Sequence, residues 1–325
     1  MKGLFMKLLG AVLRCFYFWG FVSIMALSIG CAPTAKVPIM KPAEINLKGV
    51  NKIIVGDISG NSGRSLSELL TTRLFESDKF EVLDRENFDQ ITAEHKLNLS
   101  GLVNEESAPE FGEILGASAL ITGRSTTSYA KNSSKGDSYK DKNGKTHRSY
   151  HKEAKAKTTA VLKVLDLKTG KVIAVKNLYD ESKGSDSKTD QWPPDIDLDK
   201  LKSRTLVSVT DDFMKIIAPY RVYVEVKFAD AKTDEGKNGI KLAQNGLWYE
   251  ALNQFQTEAD KLPESSEAIY NVGVAYQYLY QFDEAIEAYN KGIGIDANEK
   301  CMEGIRSVRQ MQAERRRLAE QQGAL

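Results

Sequence analysis

Gly60-Asn61-Ser62-Gly63-Arg64-Ser65 lies between a short apolar run and a leucine-spaced segment. A glycine-rich turn between a strand and a helix can cradle a phosphate on its backbone amides. The nucleotide-binding form of that loop needs glycine and lysine where this chain has Ile58 and Arg64. A plain turn before a helix is therefore expected. The histidines are His95, His147 and His151, too scattered to suggest a metal cluster, and no Ser/His/Asp set or carboxylate pair stands in a recognisable catalytic frame. Cysteines stand at Cys15, Cys31 and Cys301, so beyond Cys31 a single thiol remains. An internal disulfide and a thiolate metal site are excluded there. Neither catalysis nor a cofactor is expected.

The remaining reactive group is the Cys31 thiol, and its context is informative. Lys2, Lys7 and Arg14 precede an uncharged run from Cys15 to Gly30, and Ser28-Ile29-Gly30 leads directly to Cys31. A basic head, an apolar segment and a small residue before the break mark a secretory signal. With cysteine next, residues 1–30 resemble a bacterial lipoprotein signal, which implies acyl chains, palmitate among them, on Cys31. Ser28 departs from the usual leucine, with Leu27 one place early. An uncleaved anchor is the other reading, but the run is short against the ~20 apolar residues that a span needs. Each buried acyl CH₂ contributes about 0.8 kcal/mol, so several chains hold a protein on a membrane almost permanently.

The elements that position everything else begin later. Residues 31–49 contain Pro33, Pro38 and Pro42 with few apolar anchors and read as a flexible tether. Lys52 to Gly56 is a buried strand, and Ser65-Leu66-Ser67-Glu68 has the form of a capping box opening a helix through Leu74. Strand 80–83, helix 87–97, helix 108–115 and strand 118–122 follow. Thr158 to Leu167 and Val172 to Leu178 form a hairpin around Lys168-Thr169-Gly170-Lys171. The stripe Leu198, Leu201, Leu206, Val209, Phe213 and Ile216 predicts a helix over 198–217. Tyr220 to Phe228 alternates as a closing strand with one wet face. The order predicts an α/β domain over 50–228.

From Lys232 the pattern is helical and repeats. Gly246-Leu247-Trp248-Tyr249-Glu250-Ala251-Leu252 is echoed by Tyr280-Gln281-Phe282-Asp283-Glu284-Ala285-Ile286. The offset matches the ~34-residue period of a tetratricopeptide (TPR) repeat. Two units, about 232–265 and 266–299, with a capping helix over Glu299 to Gln321, give an all-α domain over 232–325. A partner peptide or helix is expected in its concave groove.

The α/β region also resembles the CsgG/HfaB family of bacterial envelope lipoproteins. The blocks that carry the resemblance are Leu69-Leu70-Thr71-Thr72-Arg73-Leu74, Phe80-Glu81-Val82-Leu83-Asp84-Arg85-Glu86-Asn87, Ser100-Gly101-Leu102-Val103, Leu115 to Gly123 and Val164 to Ile173. It implies an α/β sandwich, no enzymatic activity, association into a homo-oligomer or with an assembly machine, and service to curli or holdfast export. It also implies a periplasm-facing place on the outer membrane, to which Ala32 after Cys31 adds by analogy. The same resemblance leaves open a secretion-pore subunit, and an activator of a peptidoglycan synthase of the LpoB type.

Pore-forming members need hairpins with a continuous apolar face. Ser125 to Lys157 instead carries Lys131, Lys135, Lys140, Lys142, Lys145, Arg148, Lys152, Lys155 and Lys157, and Asn177 to Lys202 is rich in aspartate. A lipid-facing cation at mid-bilayer costs about 2–4 kcal/mol, so the soluble version is expected. The lysine-rich run 131–157 could grip a polyanion, but a solvated loop is the commoner meaning. With a net charge of +1, no nucleic-acid partner is expected.

Overall fold

The computed structural model describes residues 32–83, 113 and 118–323. The signal segment, Cys31, His95 and the helices expected over 87–97 and 108–115 lie outside the described residues. The chain divides into two compact units, Pro38–Val222 with the stretch from Gln310 onward, and Tyr223–Arg309 with the residues up to Val37. This moves the expected boundaries at 50, 228 and 232.

In the first unit a mixed sheet has the order β3-β2-β4-β5-β6. Strand β2 (Lys52–Ser59) runs parallel to β3 (Glu81–Leu83) and to β4 (Ala119–Lys140). β4, β5 (Thr146–Asp166) and β6 (Val172–Thr189) are antiparallel neighbours. Helices α1 (Gly63–Glu76) and α2 (Leu198–Ile217) bury Leu66, Leu70, Leu74, Leu206, Val209 and Phe213 against Ile53, Val55, Ile121, Leu162 and Val164. Fully burying one such side chain is worth about 1.5–3 kcal/mol, so this cluster is the unit's main source of stability. α2 spans the residues its apolar stripe predicts. Its N-cap is Asp197, whose carboxylate accepts from the Lys200 amide.

Two sequence expectations fail here. From residue 32 to 49 the expected tether is ordered. Residues Thr34–Lys41 form β1, with Ala35, Val37 and Ile39 buried at period two, in a separate two-stranded sheet with β7 (Tyr220–Lys227). Beyond it the Ile45 amide donates to Ile216 O at 3.0 Å, and Ala43 is 1% exposed. The capping box does not form either. α1 begins three residues early behind Ser62, and Ser65 lies inside the helix. Gly63 is required there because a Cβ would overlap the carbonyl oxygen of Ile58.

The second unit pairs helices α3 (Asp234–Gln244) with α4 (Trp248–Lys261) and α5 (Ser266–Tyr278) with α6 (Phe282–Asp296). α7 (Glu299–Gln321) follows. The sequence repeat is also a backbone repeat: Gly246 and Tyr280, the matching turn residues, both have positive φ, 79° and 62°. Phe255 packs against Gly239 as Tyr289 packs against Gly273. α7 departs from the expected cap. Its C-terminal half belongs to the other unit, where Arg317 donates to the carbonyls of Ala43 and Glu44, Gln321 holds Ala43, and Glu314 pairs with Lys41 at 2.6 Å.

A Cβ on Gly273 would lie 2.5 Å from the Tyr289 ring, whereas one on Gly294 would meet open space. Gly273→Ala should lower stability by about 1–3 kcal/mol through overpacking. Gly294→Ala should raise it by roughly 0.5–1 kcal/mol. Chemical denaturation of the two variants checks both signs.

Candidate functional site

The feature most unlike an ordinary α/β domain is the length of β4, β5 and β6. Their pairing continues from the core out to Lys140↔Thr146 and Ser149↔Thr189. Past Ser128, β4 extends another ~40 Å at about 3.4 Å per residue. The lysine-rich run expected as a loop is thus an ordered ribbon. Its turn is built by Asp141, whose carboxylate accepts from the amides of Asn143 (2.8 Å) and Lys145 (2.9 Å), with Gly144 in the left-handed region.

One face of the ribbon is covered. Ala154, Ala156 and Gly184 are small, which lets Leu201 and the segment 190–197 press onto them. A Cβ on Gly184 would come 2.7 Å from Ile196. This strap is fastened along its length: Trp192 meets Tyr150 edge-on with centroids 4.8 Å apart, Asp195 pairs with Lys152 at 2.7 Å, and the Asp190 amide donates to Arg148 O. Where the ribbon leaves the core, the covered face is bridged by buried hydroxyls. Thr205 donates to Lys202 O (2.8 Å), so it must accept from Thr158 (2.6 Å), which in turn accepts from Thr127 (2.8 Å). Asn61 grips the Thr127 backbone from the other side, and the Ser62 amide is taken by Ser125 O. The glycine loop therefore spends its polar groups on β4, which is why it reads as a turn and not a phosphate cradle.

The uncovered face is also polar. Lys155 and Lys183 both pair with Glu181, and the Lys157 ammonium lies 5.8 Å from the centre of the Tyr179 ring. The acidic run of β6 and the strap thus faces the lysine run of β5. Lys155 holds the Glu181 carboxyl below the usual carboxylate range, and Lys152 does the same to Asp195. At the tip, His147 lies between Asp190 (Nδ1, 2.6 Å) and Asp141 (Nε2, 3.2 Å). Asp141 is held low by the Lys145 amide first and then by His147; Asp190 is held low by the Arg148 amide first and then by His147. Opposite ring nitrogens point apart, so these three groups do not converge. Among the described residues no set of three His, Cys, Asp or Glu is placed to hold a metal ion.

In the second unit the expected groove is not open. The chain's own segment after β7 lies on α5: Asn271, fully buried, accepts from the Ala229 amide at 2.9 Å and donates to Ala229 O at 3.2 Å, and Tyr270 donates to Lys227 O. Phe228 packs between Trp248 and Phe255, and Glu258 accepts from the amides of Lys232 and Thr233. α5 is consequently buried nearly all round, and a partner peptide has no vacant place along this face. Burial pushes the Cys301 thiol up to about 11. Side chains exposed at the inter-helix turns are Leu247, Tyr249 and Tyr280. No helix among the described residues is long and apolar enough to cross a membrane.

The family model described as "Curli production assembly/transport component CsgG" matches residues 40–190, from within β1 to the end of the ribbon. That segment is similar to the CsgG family. The match ends where the strap begins, and the helical unit lies outside it. No curated protein matches the chain. Among solved structures, the LpoB C-terminal domain from Salmonella enterica is 12% identical, covering 41% of this chain and 84% of that one with a TM-score of 0.27. A PelC dodecamer from Paraburkholderia phytofirmans is 10% identical over 56% of this chain and 98% of its own, with a TM-score of 0.23. The second TPR of Spaghetti (RPAP3), bound to an HSP90 peptide, covers 27% of this chain and 82% of its own at 15% identity and a TM-score of 0.23. At TM-scores this low these likenesses support no conclusion.

Thr158→Val keeps the shape but breaks the hydroxyl chain, leaving Thr127 without its buried acceptor. A loss of about 1–3 kcal/mol is expected, measured by denaturation against the wild type. Both tip carboxyls titrate lower in the folded ribbon than in an unfolded chain. Their contribution is therefore complete above the ordinary range near pH ~4 and is lost as pH falls through the depressed folded values. In NMR titrations the Lys145 and Arg148 amide shifts should hold through the ordinary carboxylate range and move only below it.

Proposed function

We propose that the chain is a non-enzymatic accessory scaffold of the bacterial envelope, anchored through lipid on Cys31 to the outer membrane and serving assembly or export. The observation that carries this reading is the ribbon. By the resemblance, pore-forming members would carry membrane-inserting hairpins here, yet one face is polar, the other is closed by the strap 190–197, Lys152 pairs with Asp195 of the strap, and Lys155 and Lys183 pair with Glu181 of β6. A barrel wall needs alternate residues facing lipid, and here those positions carry Lys155, Lys157, Glu181 and Lys183.

Docking falls to two other features. β6 is a sheet edge, and among the described residues β4 beyond Thr127 has no neighbour on its β2 side, so a second copy or an assembly machine can add a strand at either edge. The helical repeats, read as two TPR units, would offer a protein partner the turn row Leu247, Tyr249 and Tyr280 in place of a groove. Tethering raises the effective concentration of both surfaces near the membrane.

The pore reading gives the clearest contrast. Purified full-length protein reconstituted in planar bilayers should show no stepwise conductance, and Cys31→Ser should move the protein from the membrane fraction to the soluble periplasm. Discrete channels would replace the scaffold with a pore, and membrane retention of the Cys31→Ser variant would remove the lipid anchor.

A further inference from the structure

The first described residues belong to the helical unit. Pro33 O accepts from the Phe228 amide at 2.9 Å, and Thr34 O accepts from the Gln244 side-chain amide at 2.8 Å. Only Ala32 separates Pro33 from Cys31, and two peptide units reach about 7 Å at most. Acyl chains on Cys31 are therefore joined to a fixed point of the helical unit, with almost no slack between them.

The α3–α4 turn lies at that point. Gln244 closes α3, Trp248 opens α4, and the Trp248 ring stacks on Phe228 with centroids 6.3 Å apart. The residues on either side of Trp248 face outward: Leu247 is 46% exposed and Tyr249 65%. The turn itself does not demand them. The second repeat makes the same turn, in which the Gln281 amide donates to Tyr276 O as the Leu247 amide does to Leu242 O. At the matching places it carries Gln281 and Asp283. So the turn beside the anchor point exposes leucine and a phenol where its echo has an amide and a carboxylate.

That difference and that position select the occupant. Tyrosine suits the headgroup level of a bilayer, and a neighbouring leucine can enter the acyl boundary. A bilayer holding Cys31 is already within reach of this turn, whereas a protein partner would have to enter between the two. The acyl chains supply the affinity, and the turn adds orientation.

We infer that the α3–α4 turn seats Leu247 and Tyr249 among the lipid headgroups beside Cys31, so that the helical unit stands directly on the bilayer. The inference rests on the lipid anchor of the proposed function and narrows its turn row, leaving Tyr280 for a protein partner. Beyond residue 31 the chain's tryptophans are Trp192 and Trp248, so Trp192→Phe leaves Trp248 as the fluorescent reporter of the turn. The full-length variant is purified from membranes, its N-terminal peptide is checked for acyl chains by mass spectrometry, and it is reconstituted in vesicles with or without lipids brominated near the headgroup end of their chains. Brominated lipid should quench Trp248 several-fold more than plain lipid does. Adding Leu247→Gln and Tyr249→Asp, the residues that the second repeat tolerates at this turn, should abolish most of that quenching while the protein stays on the vesicles. Equal emission in both vesicle types, with Cys31 acylated, overturns the inference and leaves the anchor standing. Quenching that survives the two added substitutions overturns the role given to Leu247 and Tyr249. A Cys31 without acyl chains removes the anchor and this inference together.

Discussion

A narrow polar ribbon keeps its strand register only if something other than an apolar core fixes it where it leaves the domain. Here that fixture is the buried chain from Thr127 through Thr158 and Thr205 to the Lys202 carbonyl, which ties β4 and β5 to α2. A one-residue slip in a strand would turn every side chain to the other face. Ala154 and Ala156 would leave the strap, and Lys155 of β5 would lose Glu181 on β6. The hydroxyls lie inside the covered face, where an unpaired polar group costs ~1–3 kcal/mol. The register is thus held by a penalty for error as much as by the bonds.

That constraint orders the other features. Small residues at Ala154, Ala156 and Gly184 admit the strap; the strap brings Asp195 to Lys152 and Asp190 to His147; those contacts finish the tip. The family match ends at 190, so the strap and the helical unit lie outside it. In the helical unit the same economy recurs: Asn271 and Glu258 are buried polar groups spent on the chain's own backbone, which fixes the segment 227–233 and fills the face where a peptide was expected.

Much of this was legible where burial imposes a period. α2 follows from its leucine and valine stripe, the hairpin turn from Lys168-Thr169-Gly170-Lys171, and the helical repeat from its 34-residue echo, which the turn residues Gly246 and Tyr280 preserve in backbone form. The ribbon was under-read because a single layer of strands leaves one face in water and puts alanine, glycine and threonine on the other, so no apolar alternation marks it. β1 is not legible as a strand because three nearby prolines outweigh Ala35, Val37 and Ile39. The Lys155–Glu181 pair between β5 and β6 is invisible because it depends on register, which composition does not carry. The occupied face of α5 depends on contacts between residues some 40 positions apart, and only the fold brings these together.

The claim on which the rest stands is that neither face of the ribbon meets lipid when the protein is at its membrane. Nitroxide labels placed singly at 128–138 in the membrane-bound full-length protein measure this through relaxation by a water-soluble nickel chelate and by lipid-soluble oxygen. The structure requires chelate access at every exposed position, with no two-residue alternation in oxygen access. Alternating oxygen access along the strand would mean a lipid-facing side, and the scaffold account would fail.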